Sequence, residues 1–245
     1  FGWSETEDRD ATGQVETETR YGLAGDFLIH PALTAGVAIN FADVETVTGG
    51  VTRLEDNFDV TATLARALPN GRAIIEASYE VDGDSEITTL EATRAMPLAN
   101  GADLRASLGV IGFETGDVIP TLGLNYDREI LRGQTLSFAL DQTGGQDNNT
   151  EDTILRTRID GGYQMDLTPT SSLSLNGSLA SVMPQSGTDP DTLRASFGFT
   201  YRHDVTEEWA LVARSNQRIT YEDGTETDRD FTFSINLERS FSFRP

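Results

Sequence analysis

Three features of the sequence predict an all-β chain. Apolar and polar side chains alternate with period two over about thirteen segments. Most segments exceed the usual strand length of about 5 to 6 residues. The connections between them are of two kinds, tight turns alternating with longer acidic links. Together these predict a transmembrane, antiparallel, up-and-down β-barrel of about fourteen strands (twelve to fourteen) with a polar lumen. A tilted strand needs about 9 to 11 residues to cross a bilayer, and such a barrel turns apolar side chains to lipid and polar ones inward.

The segments run over 14–29, 33–44, 54–66, 72–82, 86–97, 102–113, 118–129, 134–142, 152–166, 171–182, 191–204, 208–221 and 229–243. The stretch RYGLAGDFLIHPALTAGVAINFADV, residues 20–44, holds the first hairpin. In its return arm Ala35, Val37, Ile39 and Phe41 fall on one face, and Gly36, Ala38, Asn40 and Ala42 on the other. Segment 54–66 sets Phe58, Val60, Ala62 and Leu64 against Asp59, Thr61 and Thr63. Segment 72–82 sets Ala73, Ile75, Ala77 and Tyr79 against Arg72, Glu76, Ser78 and Glu80. The alternation continues through the middle segments. In 191–204 it opposes Leu193, Ala195, Phe197, Phe199 and Tyr201 to Arg194, Ser196, Gly198, Thr200 and Arg202. In 229–243 it opposes Phe231, Phe233, Ile235 and Leu237 to Thr232, Ser234, Asn236 and Glu238.

Tight turns fall at His30-Pro31-Ala32, Leu68-Pro69-Asn70-Gly71, Leu98-Ala99-Asn100-Gly101, Leu131-Arg132-Gly133, Leu167-Thr168-Pro169-Thr170 and Val205-Thr206-Glu207-Glu208. Between them lie VETVTGGVTRLEDN, VDGDSE, ETGDV, TGGQDNNTED, PQSGTDPD and YEDGTETDRD. Outer-membrane barrels have short periplasmic turns and longer extracellular loops, so the acidic links are expected outside the cell and the C terminus in the periplasm. On this topology the opening Phe1-Gly2-Trp3 ends an upward strand that is incomplete in this chain. Residues 1–245 are then a single barrel domain, expected to be the C-terminal part of a longer protein. An upstream segment or a partner chain is expected to complete it.

Composition narrows the function. A net charge of −22 over 245 residues opposes a nucleic-acid partner. With no cysteine there is neither a disulfide framework nor a thiolate metal site. No apolar run reaches the roughly 18 residues of a spanning helix, so any crossing of a membrane rests on strands.

The polar face carries charges of both signs that are expected to line the lumen: Asp59, Arg72, Glu76, Glu80, Glu91, Arg105, Asp127, Asp141, Arg156, Arg158, Asp160, Arg194, Arg202, Arg214, Arg218 and Glu238. A wet lumen tolerates such a mixture, whereas a dry core would require each charge to be paired. The late arginines are expected to pair across the lumen with acids of earlier strands. His30 and His203 fall beside predicted periplasmic turns and suit turn or interface roles, so no catalytic residue, cofactor or enzymatic activity is expected. The acidic clusters Asp82, Asp84, Glu86; Asp147, Glu151, Asp152; and Glu222, Asp223, Glu226, Asp228 lack the spacing of a calcium loop and read as a solvated rim, with no metal site expected.

The opening FGW, the stretch RYGLAGDFLIHPALTAGVAINFADV and, more weakly, the final strand FTFSINLERSFSF resemble the translocator β-domain of autotransporters, the type V secretion proteins of Gram-negative bacteria that carry a passenger on the same polypeptide. The resemblance implies an outer-membrane barrel that exports or anchors a surface-displayed segment. It implies contact with outer-membrane lipid, lipopolysaccharide and the outer-membrane assembly machinery. Phe231, Phe233, Ile235, Phe241 and Phe243 resemble the signal that this machinery reads. A passive porin-like channel, or the membrane seat of a larger surface assembly, is the alternative.

Overall fold

The computed structural model describes residues 2–9, 15–48, 51–82, 85–146, 153–185 and 190–240. Its strands are β1 (Gly2–Arg9), β2 (Val15–His30), β3 (Leu33–Thr48), β4 (Val51–Leu68), β5 (Gly71–Asp82), β6 (Ser85–Pro97), β7 (Ala102–Phe113), β8 (Val118–Leu131), β9 (Gln134–Gln146), β10 (Thr153–Thr168), β11 (Ser171–Pro184), β12 (Thr192–Asp204), β13 (Trp209–Glu222) and β14 (Thr225–Arg239). No helix occurs among the described residues. The strands are hydrogen-bonded in sequence order in one fourteen-stranded sheet with β1 and β14 at the ends of the order. This is an up-and-down antiparallel arrangement.

Contacts group the chain into two compact units, Phe1–Ala95 with Ser107–Thr121, and Met96–Ala106 with Leu122–Pro245. In the first unit the register joins like with like. Leu23 faces Ile39, Ile39 faces Val60 and Val60 faces Tyr79. On the other face Asn40 lies opposite Asp59, and Asp59 opposite Glu80. In the second unit Leu140, Ile159, Leu179 and Ala195 form one apolar rung, while Asp160, Ser178, Ser196 and Arg218 form the neighbouring polar one.

Several boundaries differ from the sequence reading. The opening strand does not end at Trp3: it continues to Arg9 and pairs along 15–22 of β2. The β-branched, alternating Val/Thr residues flanking Gly49-Gly50 carry β3 and β4 well into the expected long link, with Thr48 opposite Val51. The link after β13 is a two-residue turn rather than a long loop. Asp223 (φ 48°) and Gly224 (φ 75°) both take the left-handed conformation required by a type I′ hairpin, where an Asp-Gly pair is favoured. That turn starts the last strand at Thr225 instead of residue 229. Of the expected assembly-signal residues, Phe231, Phe233 and Ile235 lie on β14, and Phe241 and Phe243 lie outside the described residues. Asp84, Asp147, Glu151 and Asp152 also lie outside them.

Candidate functional site

The candidate site is a pair of surfaces. An ordinary soluble domain hides its apolar side chains, yet among the described residues the buried apolar set is small: Ala65, Ala102, Ile111, Phe113, Ile119, Ile154, Ala210 and Val212. The large apolar side chains are instead exposed along one face of the strands. On β14, Phe231, Phe233, Ile235 and Leu237 are 60 to 64% exposed. Phe41 and Leu64 on β3 and β4, and Phe197 on β12, are exposed in the same manner. Contiguous exposed apolar surface of this kind marks an interaction face.

The face has sharp limits, visible along single strands. On β4 the side chains of that face read Asp56, Phe58, Val60, Ala62, Leu64, Arg66; on β14 they read Arg229, Phe231, Phe233, Ile235, Leu237, Arg239. Each run therefore holds four apolar positions between charges ten residues apart, 56 to 66 and 229 to 239. At a rise of about 3.3 Å per residue this is about 33 Å of strand, or about 25 Å along the normal for a strand tilted by about 40°. That is the height of the apolar band of outer-membrane barrels.

Aromatic residues gather near one limit in the first unit. Trp3, Tyr21, Phe41 and Phe58 stand opposite one another on β1 to β4. The rings of Phe41 and Phe58 lie 4.8 Å apart, and Phe58 meets Tyr79 edge-on at 6.5 Å. In the second unit Trp209 sits at the tight-turn end of β13 with the guanidinium of Arg239 5.3 Å from its ring, and Glu208 accepts a hydrogen bond of 2.8 Å from Arg239 Nη2.

The opposite face is polar. The register places Asp59, Arg72, Glu76, Glu80 and Glu91 together on it in the first unit, with Glu76 directly opposite Glu91. In the second unit it gathers Asp127, Asp141, Arg156, Arg158, Asp160, Arg194, Arg202, Arg214, Arg218 and Glu238. Arg105 lies on the face of β7 away from Leu108 and Val110. Asp59 is held by Asn40 and by Thr61 Oγ1 at 3.1 Å.

The expected pairing of late arginines with early acids is not what the structure gives Arg158, Arg202 and Arg214. Arg158 binds Asp160 through two hydrogen bonds of 2.6 and 3.0 Å, Arg202 binds Asp204 at 2.9 Å, and Glu238 accepts from Arg202 at 3.4 Å and Arg214 at 2.8 Å. Arg158 and Arg202 reach acids two residues on along their own strands and Arg214 one on the next strand, while Glu238 also spans β13 to Arg202, so the pairs close locally.

No protein-family model matches the chain, and no curated protein matches it.

The two histidines form local contacts. His30 Nδ1 accepts a hydrogen bond of 3.4 Å from the Ala32 amide inside the first tight turn. His203 Nδ1 and Ser171 Oγ lie 2.7 Å apart as a cross-strand pair between β11 and β12. Among the described residues no carboxylate bonds His203, so the pair lacks the third group that orients a catalytic base. Nor, among the described residues, are three or more Asp, Glu or His side chains grouped to hold a metal ion.

The sequence reading missed the charges that bound the apolar face. Arg66, Arg94 and Arg128 alternate in step with apolar neighbours and so lie on that face near tight turns. One signal was available: all eighteen basic residues are arginine, with no lysine anywhere. Guanidinium is the cation that hydrogen-bonds in a fork, stacks on aromatic rings and sheds water most readily.

Proposed function

We propose that the chain forms a closed barrel in a bacterial outer membrane, with the exposed apolar face toward lipid and the polar face lining a water-filled lumen. The observation that carries this reading is the run of four apolar positions between charges ten residues apart, present on β4 and again on β14, where all four are exposed. Closure is the physical requirement of that environment, because a strand edge left in hydrocarbon would expose unpaired N–H and C=O groups at several kcal/mol each. The acidic ends lie outside the cell, and the tight turns and the end of β14 face the periplasm.

Within this architecture the barrel acts as a translocator and anchor of the autotransporter kind, exporting or holding a surface-displayed segment, and it is not an enzyme. Its partners are outer-membrane lipid, lipopolysaccharide and the assembly machinery that reads the aromatic last strand. A second reading, a passive channel, is favoured by two observations. The described residues form fourteen strands, against the twelve typical of that family. In the second unit the polar face also holds an open depression of about 630 Å³ lined by Asn125, Asp127, Arg158, Asn176, Arg214 and Asn216.

Planar-bilayer conductance separates the two. A steady ohmic pore identifies the channel. A closed or flickering barrel that opens when its partner segment is removed identifies the translocator. A stable, monodisperse monomer in detergent-free buffer overturns both.

A further inference from the structure

The apolar face of the first unit ends, on its tight-turn side, in a basic rung. Leu33, Arg66, Ala73 and Arg94 stand opposite one another on β3, β4, β5 and β6. The two arginines are thus two strand spacings apart, about 10 Å. Arg94 is oriented from behind: its Nη2 donates to the Asn70 carbonyl oxygen at 3.0 Å and to Asn70 Oδ1 at 2.7 Å, across the β4–β5 turn. Its Nη1 is buried and finds no hydrogen-bond acceptor. Arg66 is exposed and has no hydrogen-bond or ion-pair partner among the described residues.

What makes the rung unusual is its surroundings. The chain carries 40 acidic residues, yet 27–42, 60–75 and 92–102, the sequence around three tight turns, contain none. Two guanidiniums without carboxylates therefore sit at the edge of an apolar face in a protein of net charge −22.

We propose that Arg66 and Arg94 form a docking site for the phosphodiester headgroup of an anionic phospholipid. This rests on the lipid-facing reading of the apolar face. Guanidinium matches phosphate oxygens in geometry and charge, and the exposed Arg66, with no partner of its own among the described residues, presents its donors at the edge of the apolar face. The acyl chains of the lipid would lie along Leu64 and Ile75, on the same face one rung nearer its centre, which are 42% and 52% exposed. The acid-rich opposite ends of the same strands offer no such site, so the preference belongs to the tight-turn leaflet alone.

The test uses a single-tryptophan reporter in the rung. Trp3 and Trp209 are replaced by Phe, and Leu33→Trp, or Ala73→Trp if the first variant folds poorly, places the reporter beside Arg66. The chain is refolded into phosphatidylcholine vesicles containing either brominated phosphatidylcholine or brominated phosphatidylglycerol at equal mole fraction, and quenching is read. The expected result is stronger quenching by the anionic lipid, corresponding to a local preference of about 30-fold, equivalent to about 1 kcal/mol of surface attraction for each of the two arginines. The preference should shrink in 0.5 M salt and vanish in Arg66→Gln/Arg94→Gln. Equal, strong quenching by both lipids would overturn the headgroup site while leaving the lipid-facing reading intact. Absence of quenching by either lipid would overturn the lipid-facing reading itself.

Discussion

Replacing Ile235 with arginine is the sharpest perturbation of the apolar face. Ile235 is 61% exposed and stands opposite Ala213 on β13, so the new side chain meets no steric barrier. In water an exposed substitution of this kind changes stability by no more than about 0.5 kcal/mol. The lipid reading gives a different magnitude. The run from Arg229 to Arg239 centres on residue 234, which puts Ile235 one residue, about 2.5 Å of depth, from the midplane. Arginine there should cost about 2 to 4 kcal/mol, a fall of roughly 30- to 700-fold in the folded-to-unfolded ratio. Leu237→Arg, about 7.5 Å from the midplane on the same geometry, should cost less. Ser234→Arg on the polar face should stay within about 0.5 kcal/mol. The assay is urea unfolding of the vesicle-inserted chain, followed by heat-modifiable migration. If Ile235→Arg and Ser234→Arg behaved alike, the assignment of the two faces would be wrong.

Three further outcomes follow from particular contacts. Gly109→Ala should destabilise the first unit by about 1 to 3 kcal/mol, because a Cβ there would lie 2.4 Å from the backbone oxygen of Leu90, and the same urea assay reports it. Gly224→Val should cost about 1 to 2 kcal/mol by forcing a β-branched residue to φ 75°, with Gly224→Asn retaining much of the stability. Glu238→Gln, which removes the negative charge that Arg202 and Arg214 share, should change stability by less than about 1 kcal/mol, since both arginines are nearly half-exposed, and should shift the ion preference of any conductance toward anions.

The strands were legible because alternation is a local property: Phe58 to Leu64 and Phe231 to Leu237 declare their face without reference to any neighbour. Turn geometry was legible where proline or an Asn-Gly pair marks it, as at Pro69-Asn70-Gly71. It was misjudged at Asp223-Gly224, where the surrounding acids suggested a loop although the Asp-Gly pair specifies a tight hairpin. The expected polar-face residues could be grouped because parity suffices to group them. Their partners were not legible, since pairing depends on register. Glu238 meets Arg214 because β13 and β14 align Ala210 with Glu238 and Arg214 with Ser234, which places the two charges diagonally across one strand spacing. The basic rung was missed for the same reason. Arg66 and Arg94 are 28 residues apart in sequence, and only the register through Ala73 sets them in line.

Register is also what the two faces jointly protect. A slip by one residue between β4 and β5 would carry Glu76 and Glu80 to the face that holds Ala62 and Val60, and would turn Ile75 and Tyr79 toward Asp59. In a sheet with two polar faces such a slip would change little. Here each displaced carboxylate would enter an apolar band, and each displaced apolar side chain would leave it, so every strand contributes several penalties at once. The turns act on the same variable from the other side: Pro69 and Asn70 close the β4–β5 hairpin with Leu68 opposite Gly71, and Asp223 and Gly224 close β13–β14 with Glu222 opposite Thr225. Charge, apolarity and turn chemistry therefore select the same alignment. This agreement explains how long strands containing many near-equivalent Thr, Ser and Ala residues reach a single pairing.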